Sequence, residues 1–504
     1  MLSRLLGKKS DHPMAEIKSA QALLAELPKN DPIKSLMELT DWLESVASNG
    51  EFKLDHQFDL VRVLDEASYP YTRKLSRDYF AAQELPKFQE NRLWLVLGGW
   101  YRNVCSAYLT VFNRYCEGEK GSANIKGFLP LLSVRIVHAM AVSLKFVSVH
   151  YGPIDDDIWK SLARVYKHAE RQQYLDTPVN LYSASPRTTS VKQEVAHLLG
   201  WYGCGVHTLN PLAMHLTERI IAQYIDTVDM TAQPDRHGLF GFDLNAPGTP
   251  HRINVDATVH PDMRFVSMAS MQYRIEDLLK VLRKNIVPDD LVLGGEYEAE
   301  LVQEAAEFLL KFLTKLPQRR NVRREVHIKT KIVSGFARTL ECTGLNFDAG
   351  QMTEWQLENI SSSGFYTVLP QNGNENIRIG HLLGIRTGDN SHWGVAVIRR
   401  LIRDEANHLH VGAEVLGNRV SSVTLRQSDS GLADGQMALW LHPNFGDEAD
   451  GLVSLLVSRY LPNCSLQTEV DGKQYLLIPY ALKQRNPDCD LVAFRTIEHE
   501  ASDE

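Results

Sequence analysis

Hydrophobic positions follow a helical period through the first part of the chain. In DPIKSLMELTDWLESVAS the apolar residues recur every three or four positions behind Asp31, which predicts an amphipathic helix capped by that aspartate. The same spacing returns in YRIEDLLKVLRKN and in EAELVQEAAEFLLKFLTKL, and the second of these ends at Pro317. Residues 1–315 are therefore expected to form a mainly helical domain.

One part of this region breaks the helical pattern. Between residues 226 and 271, Pro, Gly, Asp and Asn alternate with short apolar runs such as GLFGFDL and HRINVDATV. Such punctuation is typical of turns between short strands. We expect a small β insertion or an extended loop here.

Polar and apolar positions alternate after Arg324. The runs EVHIKTKIVSGF, GFYTVL, WGVAVIRRLIRD and HLHVGAEVLG are separated by Gly, Asn and Asp, a pattern typical of a small closed barrel or a sandwich. We predict such a β unit after Arg324, a further small β unit over residues 435–498 that pairs with or packs on the first, and an acidic tail over residues 499–504. The expected fold class is α+β.

Composition narrows the choice of function. A chain of 504 residues is expected to hold two or three domains, and its 44% hydrophobic and 23% charged residues are those of a soluble globular protein. The formal net charge of −8 argues against a surface that binds nucleic acid as a whole. Six cysteines without a C-x-x-C pair favour buried thiols in a reducing cytosol over disulfides or a zinc site.

The most apolar stretch of the chain covers residues 127–152. Arg135, His138 and Lys145 interrupt it where a bilayer core would be. Charged side chains are costly at that depth, so we predict a buried helix and no membrane span. Nearby, HLLGWYGCGVHTLNPLAMH holds three histidines and one cysteine, but its spacing fits no metal-binding pattern and core packing is the expected role.

Four arginines crowd into six positions where the helical pattern gives way to the strands. They are Arg319, Arg320, Arg323 and Arg324. Like charges at this spacing repel, so an anionic ligand or an acidic partner surface would stabilise them. The alternative is a solvated helix end, where cations interact favourably with the helix dipole.

A second motif follows the arginines. Asn359 to Gly364 reads N-x-S-x-x-G, and Arg320 to Arg324 reads R-x-x-x-R. Together they resemble the signatures of the PilZ domain, the bacterial receptor module for cyclic di-GMP. The separation of 35 residues from Arg324 to Asn359 is slightly longer than the family shows, and a loop insertion in ECTGLNFDAGQMTEW would account for the excess. The resemblance extends over residues 316–426, for which it implies a β-barrel, and it includes closing strands in HWGVAVIRRL and HVGAEVL.

This resemblance implies a set of ligand-binding residues, which are Arg319, Arg320, Arg323, Arg324, Asn359, Ser361 and Gly364. Cyclic di-GMP offers two phosphodiesters and two guanines, whose O6 and N7 acceptors match the planar fork of arginine. Asn359 would bond a guanine edge, and Ser361 would bond either the ligand or its own turn. Gly364 would let the chain approach a base closely.

The resulting interpretation is a cytoplasmic bacterial cyclic di-GMP effector that is not an enzyme and uses no cofactor. The helical domain would carry the output or a protein-partner surface, and the helix before the arginines would join it to the barrel. Two alternatives remain. One is a PilZ-fold interaction scaffold without nucleotide binding, as in motility or exopolysaccharide machinery. The other is a nucleic-acid-binding protein that uses RRNVRR and shows a steep salt dependence.

Overall fold

The computed structural model describes residues 12–81, 85–185, 187–234, 238–253, 259–314, 323–344, 352–388, 390–427, 435–442, 452–462 and 464–499. The chain divides into two compact units. The first comprises Met1–His150, Ile154–Val206 and Pro211–Pro317, and the second comprises Tyr151–Pro153, His207–Asn210 and Gln318–Glu504. The first unit is mainly helical and the second is built from strands, so the predicted α+β class is confirmed.

The helices of the first unit are α1 (Ile17–Ala25), α2 (Pro32–Ser48), α3 (Leu54–Tyr79), α4 (Lys87–Cys116), α5 (Ser122–Ile125), α6 (Leu129–Ser148), α7 (Asp157–Arg171), α8 (Val191–Gly203), α9 (Pro211–Gln223), α10 (Met271–Leu282) and α11 (Ala299–Thr314). Its strands are β1 (Val179–Asn180), β2 (Thr188–Thr189), β3 (Asp229–Thr231), β4 (Gly238–Asp243), β5 (His251–Arg252) and β6 (Met263–Ser267). β3 to β6 form a four-stranded sheet in the order β3-β6-β4-β5. This sheet occupies the region for which the sequence left an insertion or a loop open.

Helix α2 shows how the local sequence signals are used. The Asp31 carboxylate accepts a hydrogen bond from the backbone N–H of Lys34 at 3.1 Å, and Pro32 occupies the first turn. This is the predicted N-cap, and it satisfies a backbone donor that the helix itself cannot pair. The apolar face, which includes Leu36 and Leu39, is buried against α3 and α4.

Helix α6 is the apolar stretch seen in the sequence. The segment Ser122–Ser148 that contains it is long and apolar enough to cross a membrane by length and composition, and 56% of its most apolar window is buried inside the protein. Buried core helices of proteins that do not span a membrane also meet these criteria of length and composition. Arg135 in its middle is only 2% exposed and is paired within the helical unit, so the predicted buried helix is confirmed.

The Arg135 guanidinium lies in a cluster of buried polar groups. It donates to the Asp65 carboxylate at 2.5 Å and to Glu66, and it lies 4.0 Å from the centre of the Tyr182 ring. Asp65 also accepts hydrogen bonds from Tyr108 at 2.9 Å and from Tyr182 at 3.2 Å. A buried charge is tolerated only when it is paired and hydrogen-bonded in this way.

A second buried network joins α6, α8 and α9. Lys145 contacts His215 Nδ1 at 2.7 Å and Glu218 at 2.8 Å, and Glu218 pairs with His197 at 3.1 Å. His215 also stacks on Phe80, with ring centres 4.3 Å apart. The predicted core role of the histidine-rich stretch is therefore confirmed for His215, although its packing is ionic as well as apolar.

The second unit contains β7 (Arg324–Ser334), α12 (Phe336–Thr343), β8 (Thr353–Ser361), β9 (Gly364–Pro370), β10 (Leu382–Thr387), β11 (Gly394–Arg403), β12 (His408–Gly417), β13 (Val420–Gln427), β14 (Gln436–Leu441), β15 (Leu452–Val457), β16 (Leu466–Val470), β17 (Lys473–Arg485) and β18 (Asp490–His499). Strands β7 to β12 close into one barrel, and β13 to β18 close into another.

The two barrels have the same connectivity. In each, the first strand pairs with the second and the fourth, the third with the second and the sixth, and the fifth with the fourth and the sixth. Every pair is antiparallel in both barrels. Two boundaries differ from the sequence expectation. The strand Val420–Gln427 belongs to the second barrel, not to the region 316–426, and the small β unit expected over 435–498 is a complete barrel.

An apolar core is shared by the two barrels. Trp393, Val395 and Val397 of the first barrel form one buried cluster with Leu439, Leu441 and Leu456 of the second. The Asp488 carboxylate of the second barrel adds polar contacts, because it accepts from the backbone N–H groups of Phe336 at 3.0 Å and Leu382 at 3.3 Å. The barrels therefore pack against each other as one body.

Removing one acidic partner of Arg135 tests the first buried cluster. We expect Asp65→Asn to lower the free energy of unfolding by about 3 kcal/mol, because the buried guanidinium then keeps only the partly exposed Glu66 as a carboxylate partner. Denaturant unfolding followed by far-UV circular dichroism measures this change. The matched control is Asp157→Asn, which removes an exposed pair with Lys160 and should change the free energy by no more than about 0.5 kcal/mol. Equal effects of the two changes would contradict the buried-pair interpretation.

Acid stability tests the buried carboxylate Glu194. Burial by itself would raise its pKa, but hydrogen bonds and charge from His138, together with His197 and Thr189, lower the pKa from 4.5 to about 2. A carboxylate whose pKa is lower in the folded protein than in the unfolded chain stabilises the fold at pH values above the unfolded-state pKa. This contribution is lost as the pH falls from about 4.5 towards 2. We therefore expect Glu194→Gln to unfold with a weaker pH dependence in this window than the wild type. An unchanged acid transition would contradict the assignment.

Candidate functional site

Strand pairing brings the two sequence motifs together at one end of the first barrel. In the β7–β8 pair, Arg324 lies opposite Ile360 and Glu325 lies opposite Asn359. In the β8–β9 hairpin, Ser361 lies opposite Gly364, and the two serines between them form the turn. The arginine end of β7 and the N-x-S-x-x-G hairpin are therefore neighbours in space, although 35 positions separate them in the chain.

Alternation along β9 decides which side chains reach solvent. Phe365, Thr367 and Leu369 are buried, so Tyr366 between them faces the outside of the barrel. Residues directly opposite each other in antiparallel strands share a face, with Cβ atoms about 5 Å apart. Following these pairs across the sheet, through the irregularities in register next to Asn359 and Arg400, gives one row, which we call the outer row: Glu325, Asn359, Tyr366, Gly412 and Arg400.

Two of the four candidate arginines lie within the described residues. Arg323 and Arg324 are both exposed. Burial raises the pKa of the Tyr366 phenol, and the Arg400 and Arg323 cations oppose this rise. The charge of Arg323 therefore reaches the outer row. Arg319 and Arg320 lie outside the described residues.

Asn359 occupies the outer row with an unsatisfied acceptor. Its side-chain Oδ1 is shielded from solvent and has no hydrogen-bond donor among the residues that the structure describes. An acceptor in this state costs roughly 1–3 kcal/mol, which a donor from a ligand would recover once the groups that shield the atom move aside. Ser361 is already satisfied locally, since its Oγ donates to the backbone carbonyl of Gly364 at 3.2 Å. Of the two roles expected for Ser361, the structure shows the bond to its own turn.

Gly364 is required by strand packing. A Cβ atom at this position would lie 2.4 Å from the carbonyl oxygen of Ala413 on β12, which is far inside van der Waals contact. Gly364 and Glu414 are cross-strand partners, so the β9–β12 pairing itself depends on the missing side chain. The sequence assigned this glycine to the approach of a base, whereas the structure shows the approach of a neighbouring strand.

Three hydrogen-bonded polar side chains, which no sequence motif indicated, lie beside the outer row. The Tyr366 hydroxyl lies 2.5 Å from His410 Nδ1, and His410 Nε2 lies 3.0 Å from an Asp404 carboxylate oxygen. A backbone hydrogen bond from His408 and a side-chain bond from His410 lower the pKa of Asp404 to about 2. The alternation in HLHVGAEVL put His408 and His410 on one face, but only strand pairing showed that Tyr366 lies next to His410.

Between Tyr366 and Arg400 the outer row has a gap. Gly412 lies there without a side chain, and a Cβ atom added to it would be 3.3 Å from the Arg400 Cβ. The outer face therefore offers a flat backbone strip with a phenol on one side and a cation on the other. Such a surface can accept a planar base, and Arg323 and Arg324 add positive charge for a phosphate. Within the described ranges, no group of three or more His, Cys, Asp or Glu side chains is placed to hold a metal ion.

Comparison with known proteins gives an independent result for the helical part. Residues 18–235 match a family model described as the N-terminal domain of the cyclic-di-GMP receptor FimW. The match covers less than half of the chain and ends before the barrels begin. No curated protein and no solved structure matches the chain. The similarity to a cyclic di-GMP receptor therefore lies in the helical region, where no sequence motif indicated a family, and not in the PilZ-like region.

Substitution of Gly364 tests the close approach of β9 and β12. We expect Gly364→Ala to lower the melting temperature by several degrees, because the added methyl group would push the two strands apart. Differential scanning calorimetry of the full chain measures this shift. Gly248→Ala is the control, since nothing lies within 4 Å of a Cβ atom there. A Gly364→Ala protein as stable as the control would show that the strands can separate at little cost.

Proposed function

We propose that this protein is a bacterial cytoplasmic receptor for cyclic di-GMP, that the nucleotide binds on the outer row of the first barrel, and that the protein acts by binding and not by catalysis. The observation that carries this proposal is the strand register. It brings Arg324 and Glu325 opposite Ile360 and Asn359, so the two PilZ-like motifs meet at one edge. The matched helical region supports the same ligand from a separate part of the chain.

The chemistry of the ligand fits the side chains at this edge. A cyclic dinucleotide carries two negative charges and two planar bases. The exposed guanidinium groups of Arg323 and Arg324 can each form paired hydrogen bonds to a phosphate or to the O6 and N7 acceptors of guanine. Asn359 supplies an acceptor that lacks a donor in the described residues. Lysine at the arginine positions would supply charge without the planar fork.

We propose that the second barrel does not bind the nucleotide, although its strands are connected in the same way. Its first strand, β13, is preceded by LGN and a single arginine, Arg419, instead of an R-x-x-x-R motif. The segment between its second and third strands reads HPNFGDEADG and contains no N-x-S-x-x-G. The barrel pairing is thus shared while the candidate ligand groups are confined to the first copy.

We also propose that the helical unit binds a protein partner. Phe88 and Leu95 on α4 are 80% and 59% exposed, and their spacing of two helical turns places them on one face. Apolar side chains that are exposed together often mark a protein interface. Ligand binding can influence such an interaction only if it favours one state of the protein over another.

Calorimetric titration of cyclic di-GMP into the full-length protein tests nucleotide binding. We expect micromolar or tighter affinity, and we expect Arg324→Ala and Asn359→Ala each to weaken it by roughly 10- to 100-fold, since each removes a charged or buried hydrogen bond. Arg459→Ala on the second barrel is the matched control and should bind as the wild type does. Cyclic di-AMP serves as the specificity control.

Two other outcomes would count against nucleotide binding by the first barrel. A wild-type protein that gives neither binding heat nor thermal stabilisation with cyclic di-GMP would contradict the proposed function. The interaction scaffold without nucleotide binding would then be the better interpretation of the two barrels. Binding that falls steeply with salt and extends to DNA or RNA would instead favour nucleic-acid recognition by the arginines.

A further inference from the structure

The hydrogen bonds that connect the side chains of Asp404, His410 and Tyr366 run in a defined direction. An ionised carboxylate can only accept, and the low pKa of Asp404 keeps it ionised at neutral pH. The Nε2 atom of His410, 3.0 Å away, must therefore carry a hydrogen and donate it. In a neutral imidazole the other nitrogen then has a free lone pair. With the imidazole neutral, His410 Nδ1 accepts and the Tyr366 hydroxyl, 2.5 Å from it, donates.

This arrangement fixes what Tyr366 can offer to a ligand. Its one hydroxyl hydrogen is used in the bond to His410, so its oxygen can only accept a hydrogen bond from a ligand. Tyr366 is partly exposed, and its cross-strand partner on the same face is Asn359. The Asn359 Oδ1 atom is also an acceptor without a donor among the described residues. Tyr366 and Asn359 are thus neighbouring residues of the outer row, and each carries an acceptor oxygen.

The bases differ at the edge that such a pair would meet. Guanine presents two neighbouring donors on its Watson–Crick edge, the N1–H and the N2 amino group. Adenine presents a bare N1 acceptor at the corresponding position, which would repel a second acceptor. A site that hydrogen-bonds a substrate donor discriminates strongly against an analogue lacking it, because its own polar groups are then left unpaired.

We propose that Tyr366 is a specificity residue that reads the donor edge of guanine, and that His410 and Asp404 are positioning residues that hold its hydroxyl as an acceptor. This inference rests on the proposed function and names the chemical feature by which the same site selects its nucleotide. The neighbouring Arg323 and Arg400 cations favour the phosphates, which both purine dinucleotides share, so they contribute affinity and not base selection.

The first test is Tyr366→Phe in the full-length protein, titrated with cyclic di-GMP and with cyclic di-AMP. The change keeps the ring and removes the acceptor. We expect cyclic di-GMP to bind about 3- to 10-fold more weakly, the loss of one neutral hydrogen bond, and cyclic di-AMP to bind as before or better. Tyr480→Phe, at a 59% exposed tyrosine of the second barrel, is the matched control and should change neither affinity.

The second test is Asp404→Asn, which distinguishes base selection from a purely structural role in the barrel. An asparagine amide can donate to His410 Nε2, which allows the ring hydrogen to move to Nδ1. The Nδ1–H then donates to Tyr366, and the phenol hydrogen turns outward as a donor. We expect the ratio of cyclic di-GMP to cyclic di-AMP affinity to fall by about the same factor as in Tyr366→Phe. A purely structural role would weaken both ligands equally.

The outcomes separate the inference from the proposed function. If the wild type binds cyclic di-GMP and Tyr366→Phe keeps the wild-type affinity ratio, the inference is overturned and the receptor function stands. If the wild type binds neither dinucleotide, both are overturned. A titration with GTP shows whether the guanine edge alone is recognised, since GTP carries the same base without the cyclic backbone. Binding of GTP as tight as that of cyclic di-GMP would overturn recognition of the cyclic dinucleotide.

Discussion

The register of three antiparallel strands, β7, β8 and β9, is the constraint on which the candidate site depends. Side chains alternate between the two faces of a strand, so a shift of one residue would turn Tyr366 inwards and place Phe365 in solvent. The buried Phe365, Thr367 and Leu369 prevent that shift, and Gly364 permits the close approach to Ala413 that completes the β9–β12 pairing. The apolar interior of the barrel thus sets the positions of the polar groups outside it.

The second barrel shows that the fold and the site are separable. Both barrels use the same six antiparallel pairings, and they share one apolar cluster with Trp393 and Leu439 among its members. The arginine and N-x-S-x-x-G motifs occur only in the first. The pattern of inward-facing apolar residues is enough to close a barrel, whereas ligand chemistry depends on a few outward positions that the pairing leaves free to vary.

The core of the helical unit combines apolar packing with buried ion pairs. Its core is mostly apolar, but Arg135 with Asp65, and Lys145 with Glu218, place ion pairs inside it. Such pairs contribute little net stability, but removing one partner is costly because it leaves a buried charge without compensation. This unit is also the part that matches the N-terminal domain of a cyclic di-GMP receptor. Its apolar periodicity showed the helices, but nothing in that periodicity pointed to a ligand.

The sequence by itself determined the helical first part, the strand-rich second part, the Asp31 cap and the two motifs of the candidate site, because each depends on residues close together in the chain. Tertiary structure alone decided that Val420–Gln427 joins the second barrel, that Gly364 serves strand packing, and that Tyr366 meets His410. These features depend on pairs of residues far apart in sequence. Local periodicity shows which face of a strand is buried, but not which strand will lie beside it.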